Sequence, residues 1–114
     1  MLELKTEAFG TINLLVTKGS VAEFEYFFKK PILNCIAEEW NSKHWFVMGY
    51  EAYKMACLKN REPHKYSLQD FQLDLTDSDF TAMVQVLDKA LDELLGLTKL
   101  REAVEEQAKK KSKR

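Results

Sequence analysis

The sequence predicts an all-α fold, a compact bundle of about five or six helices followed by a disordered basic C-terminal tail. The segment from Phe80 to Leu95 repeats apolar residues at helical spacing, and the segment from Trp40 to Lys59 is apolar over most of its circumference. Residues that cap helices, such as Ser and Asn, precede these segments. We expect one helical domain over residues 1–108 and the tail over residues 109–114.

The first predicted helix covers Leu2 to Lys18, where the apolar pattern also allows a strand. We favour a helix because Thr6 can serve as its N-cap, and because Lys18 followed by Gly19 is typical of a helix C-terminus. The residues that fit a helix are Phe9, Ile12, Leu15 and Val16, and those that alternate as in a strand are Ile12, Leu14 and Val16.

The second helix is expected to start at Ser20, with Glu23 as its partner in a capping box. Pro31 should end it, since proline lacks an N–H and disfavours helical geometry at the preceding residue. The same proline can open a third helix that reaches Trp40. The apolar faces consist of Val21, Phe24, Phe27 and Phe28 in the second helix and of Ile32, Ile36 and Trp40 in the third.

Asn41 or Ser42 is the expected cap of the central helix, which should end near Asn60 because Glu62 precedes Pro63. This helix is too apolar for an ordinary surface, so its neighbours must cover it. A chain of 114 residues offers few neighbours. We therefore expect another molecule to supply part of the cover.

Ser67 and Asp70 repeat the capping pattern before a short apolar turn. The last clear helix runs from about Asp79 to Leu95, with one apolar and one charged face. Its capping residues are Thr76, Asp77, Ser78 and Asp79. Gly96 interrupts it, and a narrow apolar stripe continues through Leu97, Leu100 and Val104.

The charge distribution separates the tail from the rest of the chain. The net charge is −1, but five positive charges in the last six residues leave −6 for the remainder. Such an acidic body should repel nucleic acid, so a solvated tail is favoured over a DNA-binding one. The alternative function is a small DNA-associated regulator with a helix-turn-helix between Leu4 and Phe28 and a phosphate-binding tail.

Composition indicates a globular protein of the cytoplasm. Hydrophobic residues make up 46% and charged residues 31% of the chain, which is unlike a disordered sequence. An apolar run long enough for a membrane span is missing, and Glu3 and Glu7 do not suit a signal peptide. Reduced cysteines fit the same compartment.

Neither catalysis nor a cofactor is indicated. A metal site would need Cys35, His44, Cys57 and His64, whose spacings do not resemble a zinc knuckle. The paired carboxylates are adjacent in sequence and point apart on a helix, so they do not form an acid–base dyad. Glycine-rich phosphate loops are missing too. We expect neither an enzyme nor a metal protein.

Aromatic residues are the strongest functional signal, because nine of them fall within residues 24–53. Aromatic side chains supply much of the binding energy at protein interfaces. Core packing explains each one singly, but together they exceed the needs of a small core. We expect a subset to bind an apolar helix or a second copy of the chain. The predicted partner-binding residues are Phe24, Phe27, Phe28, Trp40, Trp45, Phe46, Tyr50 and Tyr53.

Several segments together give the chain a family resemblance. They are the apolar N-terminal part, WFVMGYEAYKMACLKNREP, the following SLQDFQLDLTDSDF, and the lysine-rich end. With these features the chain resembles the small tail assembly chaperones of long-tailed bacteriophages of Gram-positive hosts, most closely those of lactococcal phages.

This resemblance implies a non-enzymatic helical protein that binds the tape measure protein, a long and largely helical chain, and keeps it soluble during tail assembly. It also implies a location in the host cytoplasm and absence from the mature virion. The aromatic contacts above come from the residue pattern. Many weak apolar contacts from many copies would suit such a client, so we also expect a homo-oligomer.

Overall fold

The computed structural model describes residues 1–96, in which two antiparallel strands precede five helices. The elements are β1 (Leu2–Thr6), β2 (Gly10–Leu14), α1 (Lys18–Phe28), α2 (Ile32–Glu38), α3 (Ser42–Lys59), α4 (Leu68–Asp74) and α5 (Asp77–Leu95). The predicted tail and the apolar stripe beyond Gly96 lie outside the described residues. Within residues 1–96, none of the helices has the length and apolarity needed to cross a membrane.

The prediction of an all-α bundle is wrong, because the segment expected to form the first helix is a β-hairpin. The fold is a small α/β protein of five helices and a two-stranded sheet. In the hairpin register Leu4 pairs with Ile12, and both side chains are buried. Glu3 and Lys5 point to the other face and are exposed. The alternation of period two therefore determined the structure of this segment.

Thr6 accounts for the incorrect helix prediction. Its Oγ1 accepts a hydrogen bond from the Phe9 backbone N–H at 2.8 Å, the same three-residue span as a helix N-cap. The hydroxyl also donates to the Gly10 carbonyl at 2.8 Å. Gly10 has a φ of 70°, so the chain reverses there. The hairpin also replaces the first helix of the helix-turn-helix that the DNA-binding alternative required.

α1 begins two residues before the predicted start at Ser20. Thr17 is its N-cap and accepts hydrogen bonds from the Gly19 and Ser20 backbone N–H groups. Ser20 closes the capping box by accepting from the Thr17 N–H at 2.8 Å. Gly19, expected to end a helix, lies instead in the first turn of one. The chain leaves α1 at Lys29, which has a left-handed φ of 54°.

Pro31 precedes α2 as predicted, and the Glu25 carboxylate caps that helix by accepting from the Ile32 N–H at 2.7 Å. The third helix was predicted to reach Trp40. Instead, α2 ends at Glu38, and Trp40 lies in the link to α3. The later capping predictions are confirmed. The N-caps of α3, α4 and α5 are Asn41, Ser67 and Thr76, each with its capping box.

α3 is the central helix, and α1, β2, α4 and α5 all pack against it. The Leu15 N–H donates to the Ala52 carbonyl at 3.0 Å, which ties the end of the hairpin to this helix. Gly49 allows α5 to come close, because a Cβ at this position would collide with the side chain of Met83. The apolar circumference of α3 is thus largely covered by the chain itself.

Candidate partner-binding site

Aromatic rings meet where α1 ends and α3 begins, and we call this group the corner cluster. Its members are Phe24, Phe27, Phe28, Trp40, His44 and Trp45. Phe24 is fully buried and supports the cluster from beneath, with its ring 4.7 Å from that of Phe28 and 5.4 Å from that of Trp40. Trp45 meets Trp40 edge to face at 5.2 Å. The cluster joins α1, the link between α2 and α3, and the start of α3.

His44 lies between two rings of the corner cluster. It stacks on Phe28 at 4.4 Å and on Trp40 at 5.0 Å. Its Nδ1 accepts a hydrogen bond from the Asn41 N–H at 3.1 Å and so completes the cap of α3. Burial lowers the pKa of His44, which favours the neutral ring that can accept this bond. The histidine therefore belongs to the aromatic packing and to the helix cap.

The corner cluster reaches solvent through Phe27, which is 45% exposed. Two other large apolar side chains on α1 and α2 are exposed, Tyr26 of α1 at 80% and Leu33 of α2 at 47%. We call these three side chains the α1–α2 apolar surface. The Lys43 ammonium lies 5.7 Å from the centre of the Phe27 ring and adds a positive charge at the edge.

The Trp40 indole N–H is buried and meets no hydrogen-bond acceptor among residues 1–96. A buried donor without a partner costs about 1–3 kcal/mol. The corner cluster therefore carries an unsatisfied polar group beside its exposed rings. A rearrangement that gave this N–H an acceptor would recover part of that cost.

The structure divides the eight predicted partner-binding residues among three places. Five lie in the corner cluster, whereas Phe46 packs against Phe80 of α5 at 4.8 Å. Tyr50 and Tyr53 belong to a second group, which we call the hairpin cluster. Its members are Phe9, Tyr50, Tyr53, Tyr66 and Phe71.

In the hairpin cluster, Tyr53 and Phe71 are buried and the other three rings are half-buried. Phe9, in the turn of the hairpin, stacks on Tyr66 at 4.0 Å, and Phe71 beneath them is fully buried. The Tyr53 hydroxyl accepts hydrogen bonds from the Lys65 N–H at 2.7 Å and the Tyr66 N–H at 3.4 Å. Its rings and this hydroxyl are therefore occupied within the chain.

Sequence reasoning missed the exposed residues Tyr26 and Leu33. Both fall outside the apolar stripes that defined the second and third predicted helices. Tyr26 is two positions from Phe24 and Phe28, so it lies on the opposite side of α1. An apolar residue off the buried stripe of an amphipathic helix was the available signal.

Within residues 1–96, no three His, Cys, Asp or Glu side chains form a group that could hold a metal ion. Cys35 and Cys57 are free thiols. Burial raises the pKa of the Cys35 thiol, which disfavours the reactive thiolate. The described residues thus provide an apolar surface and packed aromatic rings, which suit binding to another protein.

Comparison with known proteins gives no match, whether with family models, with curated proteins or with solved structures.

Proposed function

We propose that this protein is a non-enzymatic tail assembly chaperone of long-tailed phages, which binds the tape measure protein and keeps it soluble during tail assembly. The observation that carries the proposal is the exposure of the three side chains of the α1–α2 apolar surface, Tyr26, Phe27 and Leu33, of which Phe27 also belongs to the corner cluster. The resemblance of the sequence to these chaperones supplies the identity of the client. The chaperone acts in the host cytoplasm and is absent from the mature virion.

A long helical client presents apolar side chains at every turn, and each can contact one α1–α2 apolar surface. Phe27 meets Phe28 edge to face at 5.0 Å, a contact that restricts its ring. A rigid aromatic anchor loses little side-chain entropy on binding. Many copies along one client then give strong binding from weak contacts. Client binding and assembly of several copies are therefore coupled.

The test is co-expression with a tape measure protein, followed by light scattering to determine the mass of the soluble complex. We expect the client to stay soluble in a complex with many copies of this protein. Phe27→Asp should leave the client insoluble, because a carboxylate on the α1–α2 apolar surface is costly to bury. A client that is equally soluble with and without this protein would contradict the proposal.

Leu73→Asp is the matched control. Leu73 of α4 is 72% exposed, so the change also places a carboxylate on an exposed apolar residue. It lies outside the α1–α2 apolar surface, and we expect this variant to keep the client soluble. Loss of solubility with both variants would show that the α1–α2 apolar surface has no special role.

A further inference from the structure

A concave surface lies between α1 and α3, and we call it the α1–α3 groove. It has a volume of about 250 Å³. Its lining residues are Glu23 of α1, Glu51, Lys54, Met55 and Leu58 of α3, and His64. Of its two carboxylates, Glu23 is exposed and Glu51 is buried, and a buried carboxylate is uncommon in proteins.

Met55 and Leu58 form the apolar part of the groove. Met55 lies against the backbone of α1, since a Cβ added at Gly19 would lie 3.1 Å from the Met55 Cε. Leu58 is 71% exposed, so its side chain remains available to a partner. An aliphatic chain placed in the groove would cover both residues.

Glu51 supplies the charge of the groove, and its side chain is only 7% exposed. Among residues 1–96, the cation that pairs with it is Lys54, with the ammonium 3.2 Å from Oε2. This ammonium also lies 4.6 Å from the centre of the Tyr50 ring, so its charge is shared. A buried carboxylate is costly unless it is well paired. The site would therefore gain from a second cation.

The lining of the groove holds two carboxylates, Glu23 and Glu51, one ammonium, that of Lys54, and the imidazole of His64. We propose that the α1–α3 groove receives an arginine side chain from the helical client. Its aliphatic part would cover Met55 and Leu58, and its guanidinium would bond the Glu51 carboxylate. This inference rests on the proposed chaperone function and specifies the client as an apolar helix with a basic residue on its binding face.

The experiment compares two labelled peptides in fluorescence anisotropy titrations. Both are amphipathic helices of about 20 residues, long enough to form a helix. They differ at one central position of the apolar face, which is arginine in one and citrulline, its neutral isostere, in the other. We expect the arginine peptide to bind about tenfold more tightly, the effect of one charge-assisted hydrogen bond.

Glu51→Gln should remove the difference between the peptides, whereas Glu93→Gln, an exposed change on α5, should preserve it. Circular dichroism checks that the variants fold. If Glu51→Gln does not fold, Glu23→Gln at the exposed part of the groove takes its place and should reduce the difference.

Equal binding of both peptides to the wild-type protein would overturn the groove assignment and leave the chaperone proposal standing. A preference for arginine that Glu51→Gln retains would also overturn it. Failure of both peptides to bind at millimolar concentration would overturn the groove assignment, and the co-expression experiment would then decide the chaperone proposal separately.

Discussion

The corner cluster and the hairpin cluster both consist of aromatic side chains but differ in how far those side chains are exposed. In the hairpin cluster, Phe9 of the hairpin turn stacks on Tyr66 of the loop before α4, and the Lys65 and Tyr66 N–H groups bond the Tyr53 hydroxyl. In the corner cluster, Phe27 is 45% exposed and the Trp40 N–H has no acceptor among residues 1–96. Aromatic composition alone therefore does not separate a core from an interface. The elements that pack over the rings do.

Asp79 fixes the position of the hairpin turn, which carries Phe9 of the hairpin cluster. Its carboxylate accepts hydrogen bonds from the Glu7 N–H at 2.8 Å and the Ala8 N–H at 3.1 Å, both in the hairpin turn. It also accepts from the Thr76 N–H at 3.2 Å, at the start of α5. One side chain thus fastens the hairpin to the last helix.

The largest expected effect is the difference in how much the two clusters contribute to the free energy of unfolding. Phe71→Ala should lower the free energy of unfolding by about 3–5 kcal/mol, because it leaves a cavity under the hairpin cluster. Phe27→Ala should lower it by less than about 1 kcal/mol, since the ring is nearly half exposed. Urea denaturation measures both. Equal losses would mean that the corner cluster is as much a part of the core as the hairpin cluster.

The next largest effect on stability is expected from removal of the Asp79 carboxylate. Asp79→Ala should cost about 2–3 kcal/mol, because three backbone N–H groups lose a charged acceptor. Amide exchange at Glu7 and Ala8 should accelerate. Asp77→Ala, an exposed first-turn change, should cost less than about 1 kcal/mol. Similar amide exchange in both variants would show that Asp79 does not hold the hairpin.

The Asp79 carboxylate should also make the stability of the protein depend on pH in the acidic range. Burial alone would raise the pKa of Asp79, but the N–H groups of Glu7, Ala8 and Thr76 outweigh burial and hold the pKa below its usual value. Its contribution to stability is therefore present above the unfolded-state pKa and is lost as the pH falls through the lower folded-state pKa. Unfolding measured between neutral and strongly acidic pH should show this loss in the wild-type protein and less of it in Asp79→Ala.

A smaller effect compares two tyrosine hydroxyls. Tyr53→Phe should lower the free energy of unfolding by about 1 kcal/mol, since the Lys65 and Tyr66 N–H groups lose their acceptor. Tyr26→Phe should have almost no effect, because Tyr26 is 80% exposed. Thermal denaturation measures the stability of both variants. A cost at Tyr26 as large as at Tyr53 would contradict the assignment of Tyr26 to a free surface.

The smallest effect concerns His44 of the corner cluster. Burial lowers its pKa, so the unfolded chain binds a proton before the folded chain does. Stability should therefore decrease slightly as the pH falls from neutral through the usual histidine range. His44→Gln should reduce this dependence. An unchanged pH profile in His44→Gln would show that the ring is not shielded as described.

The sequence predicted those parts of the fold that depend on neighbouring residues. Ser67 was recognised as a helix cap, and Asn41 and Thr76 were among the candidate caps, because capping acts over three residues. The hairpin was missed because Thr6 forms a cap-like bond to Phe9 within a turn. In that segment helical and alternating patterns competed, and only packing against α3 and α5 decides between them.

The candidate site was less predictable than the fold. The sequence identified the region rich in aromatic residues but not its division into two clusters. That division depends on contacts between distant segments, such as Phe9 with Tyr66 and Tyr53 with Lys65. Tyr26 and Leu33 could have been selected as apolar residues outside the buried stripes, whereas the burial of Phe24 and Tyr53 required the structure.

The central claim is that a client binds at the α1–α2 apolar surface, which shares Phe27 with the corner cluster. Its most direct test is intrinsic tryptophan fluorescence. Both tryptophans of the chain, Trp40 and Trp45, lie in this cluster, so their emission reports on it alone. A helical fragment of a tape measure protein should shift the emission to shorter wavelength as water leaves the rings. A fragment that binds by light scattering but leaves the emission unchanged would contradict the account.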